Sequence, residues 1–461
     1  MTVKQLINAI IICIITNGCV HNSDVQFALK SSGKNRKNLE SVLEHYRMVD
    51  ANPHKLMAAE FLIANMPAHY SYADSSIYGY YRYAVSILSD TALTPEQQRD
   101  SLLFCTLSNY ANISEKTAPD AKIVRPEILI NNIDKSYAQW TTCPWSSQLT
   151  FDEYLEWLLP YKAVELQELD SWRDTLSEYF GTRIVSMIHN DVEYNTTVKV
   201  ADIVRNETLN KIQRYGLYSR SGLPLLSSEL LPMQRFGNIS DYTLLATLVF
   251  RSLGIPAIID ETPVGSRGTA ASCWYVILSD WGREMPSEWD LSTIPGWGFF
   301  PYERGPKVYR KTYAVNRERL EYFKKSKYTY PFELARKDVT DKYFLTSELN
   351  LPVDKMYRKI IKDKYVYIAS AVRKDELAVA DKNSRAVPDG WKIVDFGKLS
   401  KGHASFSKMG REVIYVVFGY DGKNLIPITR PFILHKDGRI EYIDSVDLND
   451  SEYDLYKNNY N

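Results

Sequence analysis

Cysteine and histidine are the side chains of this sequence that could carry nucleophilic catalysis, because a thiolate attacks a carbonyl carbon while an imidazole takes up the proton. The 461 residues include five cysteines and seven histidines. They form no CxxC or HExxH pattern and no histidine cluster, so the sequence predicts neither a metal site nor a cofactor. The cysteines are Cys13, Cys19, Cys105, Cys143 and Cys273, and the histidines are His21, His45, His54, His69, His189, His403 and His435.

The N-terminal residues have the pattern of a secretory signal peptide. Lys4 precedes an apolar run over 6–15, which is too short to cross a bilayer as a mature helix. Gly18-Cys19 follows and resembles the lipobox of bacterial lipoproteins, in which the cysteine is acylated and becomes the first mature residue. Thr16 stands where that motif usually has an aliphatic residue, so a plain cleaved signal is the alternative. We expect a lipid at Cys19 that anchors the protein to a membrane of the cell envelope.

Composition argues against a nucleic-acid partner. Lys plus Arg and Asp plus Glu both number 56, so the formal net charge is zero and no basic stripe marks a polyanion site. The 33 tyrosines combine a flat apolar ring with a polar tip, which suits binding faces, including platforms for sugars. Half-buried packing is the simpler interpretation of most of them.

Hydrophobic periodicity predicts an α+β fold. Leu39, Val42, Leu43 and Tyr46 share one helix face, and the region around them is mainly helical in its pattern. Short segments rich in β-branched and aromatic residues, some separated by Asp-Gly turns, predict a C-terminal β-sandwich. These strand segments are 365–372, 391–396, 413–420, 431–434 and 439–443. The predicted boundaries are 1–19 for the signal peptide, 20–36 for a tether, 37–148 for a helical domain, 149–348 for a central domain, 349–445 for the sandwich and 446–461 for a disordered tail.

The middle of the central domain predicts a buried helix packed on strands. Asn238 or Ser240 can cap the helix, and Gly254 followed by Pro256 ends it. Its apolar stripe includes Leu245, Val249 and Leu253, and the strands that follow are 257–260 and 273–278.

This segment is similar to the core of the transglutaminase-like superfamily, which has a papain-like fold with a central helix on an antiparallel sheet. In that family Gly-x-Cys begins the helix, Leu-Gly-Ile-Pro closes it, and His-x-Trp opens a later strand. Here Gly237, the run Leu253-Gly254-Ile255-Pro256 and Trp274 match. Ile239, however, takes the cysteine position and Ser272 takes the histidine position.

The resemblance implies a catalytic apparatus that has lost its two main residues. In the family a helix N-terminus stabilises the thiolate, a histidine takes its proton, and an acidic residue orients the imidazole. Ile239 has no nucleophilic atom, Ser272 is not a base near neutral pH, and no histidine lies between 190 and 402. The third position would be Asp290 or Glu288, which has no role without the other two.

Four further segments resemble parts of a group of transglutaminase-like lipoproteins from Bacteroidota, in which a β-domain follows the core. Their shared order carries more weight than any one of them. They are Asn65–Tyr72, Leu158–Lys162, Lys307–Thr312 and Asp338–Thr340.

Three functional hypotheses follow. The first is a non-catalytic transglutaminase-like domain that binds a protein, peptide or glycan. The second is an active enzyme with Cys273 as a relocated nucleophile; alternating strand geometry disfavours it, because Cys273 faces the core if Ser272 faces a cleft. A pairing of Cys143 with His189 is weaker still, since no strand-helix context supports it. The third is a carbohydrate-binding surface lipoprotein, with the C-terminal sandwich or the tyrosine-rich N-terminal section as its platform and Trp391, Tyr415 and Tyr420 as candidate contacts.

Overall fold

The computed structural model describes residues 22–111, 113, 116–189, 196–207, 223–265, 271–287, 304–328, 330–372 and 390–444. The predicted signal peptide, the lipidation site Cys19 and the tail over 446–461 lie outside these residues. The chain separates into two compact units. The first comprises Met1–Ile259, Trp274–Phe299 and Thr312–Ala314, and the second comprises Asp260–Cys273, Phe300–Lys311 and Val315–Asn461. The boundaries predicted at residues 148 and 348 stay predictions.

Helices make up most of the described part of the first unit. Asn52, Thr94 and Asn238 cap three of them by accepting hydrogen bonds from backbone N–H groups of the first turn. The helices are α1 (residues 22–31), α2 (Arg36–Glu44), α3 (Pro53–Asn65), α4 (Ser76–Leu88), α5 (Pro95–Asn109), α6 (Pro126–Thr142), α7 (Phe151–Glu153), α8 (Trp172–His189), α9 (Thr197–Glu207) and α10 (Ile239–Ser252). Helices α2 and α7 continue as π-helical turns over His45–Val49 and Tyr154–Leu158. Two short strands, β1 (Tyr70–Tyr72) and β2 (Thr117–Pro119), pair antiparallel.

The predicted tether over 20–36 is wrong in its described part. Val25, Ala28 and Leu29 lie on one face of α1 and are buried in the same apolar core as Leu39 and Tyr46. Their spacing of i, i+3 and i+4 is that of an amphipathic helix, and the basic run from Lys30 obscures it in the sequence.

Helix α10 confirms the predicted buried helix. Its residues from Asp241 to Ser252 are all buried, and the Phe250 ring lies 5.1 Å from the ring of Tyr275. Gly254 ends the helix at φ +80°, a conformation that favours glycine, and a Cβ there would lie 3.1 Å from the Cys143 sulfur.

The strands that follow α10 in the chain are antiparallel where their register is defined. In the first unit the hydrogen-bonded order is β5-β4-β3, and β4 pairs antiparallel with β5. In the second unit β3 is followed in the sheet by β6 and β7, which also pair antiparallel. The strands are β3 (Ala257–Thr262), β4 (Ser272–Leu278), β5 (Glu284–Ser287), β6 (Tyr309–Lys311) and β7 (Arg336–Asp338). The predicted α+β class is therefore confirmed.

The second unit is dominated by one antiparallel sheet that curls into a half-barrel. Its order is β15-β14-β12-β9-β10-β11-β8, and β13 pairs with β12. The strands are β8 (Thr346–Pro352), β9 (Tyr365–Ala371), β10 (Trp391–Ser400), β11 (His403–Gly410), β12 (Val413–Tyr420), β13 (Leu425–Pro427), β14 (Phe432–Leu434) and β15 (Ile440–Tyr442). Helices α11 (Arg317–Lys325) and α12 (Lys355–Ile360) complete this unit.

All five predicted C-terminal strands are present, but the predicted sandwich is wrong. The described strands from β8 to β15 form one sheet, whereas a sandwich needs two sheets packed face to face. Register shifts between Ile393 and Asp395 in β10 and between Phe406 and Met409 in β11 explain the difference. Such bulges bend a strand and increase its twist, so a single sheet can curl over its own apolar face.

Candidate functional site

The two substituted catalytic positions both lie at the starts of elements. Ile239 is the first residue of α10, in the first unit, and Ser272 is the first residue of β4, in the second. Both side chains are half-buried. Asp290 and Glu288, the alternatives for the third position, lie outside the described residues.

A carboxylate already occupies the N-terminus of α10. The Asn238 side chain accepts a hydrogen bond from the Asp241 N–H at 3.0 Å, and Asp241 Oδ2 accepts one from the Asn238 N–H at 3.0 Å. Asp241 is buried, and a Cβ on Gly237 would lie 3.2 Å from its Oδ2. The negative charge that a helix N-terminus stabilises is therefore supplied by Asp241, and Gly237 makes room for it.

The cysteines of the described residues are buried or half-buried thiols without a disulfide. Cys273 is only 8% exposed beside the half-buried Ser272, as alternating strand geometry predicts. Burial raises the pKa of the Cys143 thiol to about 11, and it also raises the pKa of Cys105. Neither of these two thiols is a thiolate near neutral pH. His189 is the last residue of α8, and its side chain lies outside the description.

Two of the segments noted in the sequence, Asn65–Tyr72 and Leu158–Lys162, meet in a buried polar network of the first unit. His69 contacts Glu165 Oε1 through Nδ1 at 2.8 Å and the Tyr313 carbonyl oxygen through Nε2 at 2.9 Å. Since both partners are acceptors, the imidazole donates from both nitrogens and is positively charged. Burial opposes this charge, but Glu165 outweighs it and raises the pKa of His69.

Lys162 holds the other side of this network. Its ammonium lies 2.7 Å from Asp120 and 3.3 Å from Glu165, and it donates to the Tyr70 carbonyl oxygen at 2.9 Å. Burial alone would raise the pKa of Glu165, but the charges of Lys162 and His69 hold it at about 2. Because the charges are buried and paired with one another, the network stabilises the fold and is not open to a ligand.

A pair of carboxyl groups in the first unit was not identified from the sequence. Burial, followed by the charges of Asp170 and Glu229, raises the pKa of Glu168 to about 8. Burial also raises the pKa of Asp170 to about 6, although Ser228 Oγ donates to its Oδ2 at 2.6 Å. The spacing Glu-x-Asp in an extended segment, which places both side chains on one face, is the available signal.

Replacing Glu168 by Gln should change how stability depends on pH. The unfolded carboxyl loses its proton near 4.5 and the folded one near 8, so wild-type stability falls as pH rises through that window. Glu168→Gln should abolish a loss of about 2 kcal/mol between about pH 5 and pH 8, less than the full shift implies because the side chain is partly exposed. Urea denaturation at several pH values measures this, with the exposed Glu178→Gln in α8 as control. Equal slopes for wild type and Glu168→Gln would contradict the assignment.

The second unit contains a cavity of about 430 Å³, within the range of small-molecule sites. It lies where β6, β7 and α11 face the strands β8, β10 and β11. Aromatic walls come from Tyr309, Phe396 and Phe406, each less than a tenth exposed. The polar lining consists of Asn316, Glu318, Arg319, Asp338, Glu348, Asn350, Asp395, Lys398, Ser405 and Ser407.

A buried lysine fixes two carboxylates of this cavity. Lys307 is fully buried; its ammonium lies 2.5 Å from Asp338 and 2.9 Å from Asp395 and donates to the Ser407 carbonyl oxygen at 2.7 Å. Asp338 also accepts hydrogen bonds from the N–H and the hydroxyl of Thr340. Segments Lys307–Thr312 and Asp338–Thr340, which the sequence singles out, therefore build one side of the cavity.

Arg319 is the buried cation of the cavity. The Asn316 side chain caps α11 by accepting a hydrogen bond from the backbone N–H of Arg319. The Arg319 side chain lies on the buried face of this helix, and the residue is only 4% exposed. The guanidinium carbon lies 4.7 Å from the Tyr309 ring centre and 5.3 Å from that of Phe332. Its side chain makes a hydrogen bond to the Glu333 carbonyl oxygen at 3.4 Å.

The residues proposed for carbohydrate contact lie elsewhere. Tyr415 is fully buried and donates to the Gly410 carbonyl oxygen at 2.8 Å, so its ring is not available as a platform. Trp391 and Tyr420 are half-buried and pack against apolar clusters of the sheet. None of the three lines the cavity.

Within the described ranges, no group of three or more His, Cys, Asp or Glu residues could hold a metal ion, and no helix is long and apolar enough to cross a membrane. Comparisons with protein-family models, with curated proteins and with solved structures found no match.

Proposed function

We propose that this protein is an exported cell-envelope lipoprotein that binds a peptide or glycan and whose transglutaminase-like, papain-like core does not catalyse the family's reaction. The observation that carries the proposal is the N-terminus of α10. Ile239 stands where the family's nucleophile would be, and the helix end is already satisfied by the buried carboxylate of Asp241. Isoleucine has no sulfur atom that could form a thiolate, and the negative charge of Asp241 would disfavour a second anion at this helix end.

The cavity of the second unit supports binding as the activity. It combines aromatic walls with converging amide, hydroxyl and charged groups, which is the composition of a ligand site. The charged residues on its Lys307 side are held by buried ion pairs, so the site is rigid before a ligand arrives.

The experiment is a paired test of turnover and binding on the mature chain beginning after Cys19. We expect no amine incorporation into glutamine peptides and no cleavage of a mixed peptide library. We expect saturable binding to members of a peptide and glycan panel. Asn350→Trp, which would fill the cavity from its exposed edge, should weaken that binding by about tenfold or more, whereas Asn424→Trp on the exposed β12–β13 turn should not.

The alternative with Cys273 as nucleophile is tested in the same assay. Turnover that disappears in Cys273→Ala would establish a relocated active site and refute a non-catalytic function. Binding that Asn350→Trp leaves unchanged would remove the cavity from the proposal.

A further inference from the structure

The charged residues that line the cavity indicate which kind of ligand it can bind. Four carboxylates line it, those of Glu318, Asp338, Glu348 and Asp395. Asp338 and Asp395 are both paired with Lys307. Glu348 accepts from the Lys408 N–H through one oxygen, Oε1, and its side chain is exposed. Glu318 is also exposed, in the first turn of α11. The exposed Lys398 also lines the cavity, so the rim carries one ammonium group beside the carboxylates of Glu318 and Glu348, which can accept hydrogen bonds from a cationic group of a ligand.

Arg319 gives the same cavity a buried cation with unused donors. A guanidinium has five N–H donors, and that of Arg319 uses one of them in the bond to Glu333. No carboxylate of the described residues forms an ion pair with it. Arg336 and Lys311 nearby, in contrast, each contact two carboxylates. The guanidinium packs against the rings of Tyr309 and Phe332, and its planar fork suits a planar anion such as a carboxylate.

We propose that the cavity binds a small zwitterion, a free amino acid or a short unblocked peptide. This inference rests on the proposed binding function and names its ligand. The carboxylate of the ligand pairs with Arg319 in the bidentate geometry that arginine favours, and its ammonium group lies among the acidic rim residues Glu318 and Glu348. The opposite charges of one ligand thereby meet the opposite charges of one cavity.

An acidic or neutral glycan fits these observations less well. A neutral sugar brings neither an anion to Arg319 nor a cation to Glu318 and Glu348. A uronic acid would satisfy Arg319 but would bring no cation to Glu318 and Glu348, the two carboxylates that Lys307 does not pair. A ligand that carries both an anion for Arg319 and a cation for Glu318 and Glu348 therefore fits these groups better.

The test is calorimetric titration of the mature chain with the twenty common amino acids singly and with equimolar mixtures of unblocked dipeptides. The same dipeptides are titrated in N-acetylated and in C-amidated form. We expect binding by unblocked compounds, and weakening of about tenfold or more by either block. Binding by the amino acids or only by the dipeptides identifies the source of the zwitterion.

Variants locate the two contacts. Arg319→Gln should abolish measurable binding, whereas Arg317→Gln, the same charge change two residues earlier on α11, should leave it unchanged. Because Arg319 is buried, Glu348→Gln at the exposed rim provides a variant that does not depend on repacking, and it should weaken binding by about fivefold. Thermal unfolding confirms that each variant is folded.

Equal affinity for blocked and unblocked dipeptides would overturn the zwitterion inference. So would a glycan that binds while no amino acid or dipeptide does, although the proposed binding function would then stand. If no member of either panel binds, the proposed function fails together with the inference.

Discussion

Lys162→Met is expected to lower the free energy of unfolding by about 3–5 kcal/mol, because it leaves the fully buried carboxylate of Asp120 without its cation. The Lys162 side chain is 2% exposed and that of Asp120 is fully buried. Asp120 would keep the hydrogen bond from the Tyr161 hydroxyl at 2.9 Å, and Glu165 would keep His69. The neutral Tyr161 hydroxyl cannot replace the charged ammonium group beside Asp120 in a site from which water is excluded.

Lys135→Met is the matched control for this variant. Lys135 lies 3.0 Å from Asp174 in the same unit, but its side chain is 56% exposed, so its loss should cost less than about 1 kcal/mol. Urea denaturation followed by circular dichroism compares the two. Equal costs for the two variants would contradict the view that the network around His69 stabilises the first unit.

The elements around α10 can be predicted from the sequence because their signals are local and agree. Asn238 offers a cap, Gly254 permits the left-handed turn at the C-terminus, and Pro256 prevents continuation of the helix. The apolar residues after Pro256 include β-branched isoleucines, which favour the strand β3. Each signal acts within a few residues, so no knowledge of distant partners is needed.

Strands β8 and β11 show where such signals fail. Their buried residues, among them Leu349, Leu351, Ala404 and Phe406, alternate with exposed polar ones, so the average hydrophobicity of either segment is low. Period-two alternation is the signal that could identify them. The choice between one curled sheet and a sandwich depends on pairing order and on bulges, which no local pattern encodes.

The cavity could be predicted only in part. Asp395 interrupts an apolar strand, and a charged residue in such a place indicates a buried partner. The sequence does not say that the partner is Lys307, almost ninety residues earlier. The burial of Arg319 is even harder to predict. Its helix also contains arginine, glutamate and lysine residues, so the sequence pattern indicates an exposed side chain.

Asp260→Asn is expected to destabilise the second unit by about 3–5 kcal/mol, because it removes the charge of a fully buried carboxylate that pairs with Arg310. Arg310 donates to Asp260 from Nε and Nη2 at 2.8 Å each, and the Tyr343 hydroxyl donates at 2.7 Å. An asparagine has the same shape but no charge, and its NH₂ group would face the guanidinium donor to donor.

The origin of this cost can be separated from mere loss of contacts. Asp341→Asn removes an exposed carboxylate that lies 2.9 Å from Lys408, and it should cost less than about 1 kcal/mol. The triple variant Asp260→Leu, Arg310→Met, Tyr343→Phe removes every charged and hydroxyl group of the cluster. It should recover most of the stability that Asp260→Asn loses, because a buried ion pair is little better than apolar packing of similar volume. If the triple variant is less stable than Asp260→Asn in urea denaturation, loss of the Asp260 charge opposite Arg310 is not what destabilises the single variant.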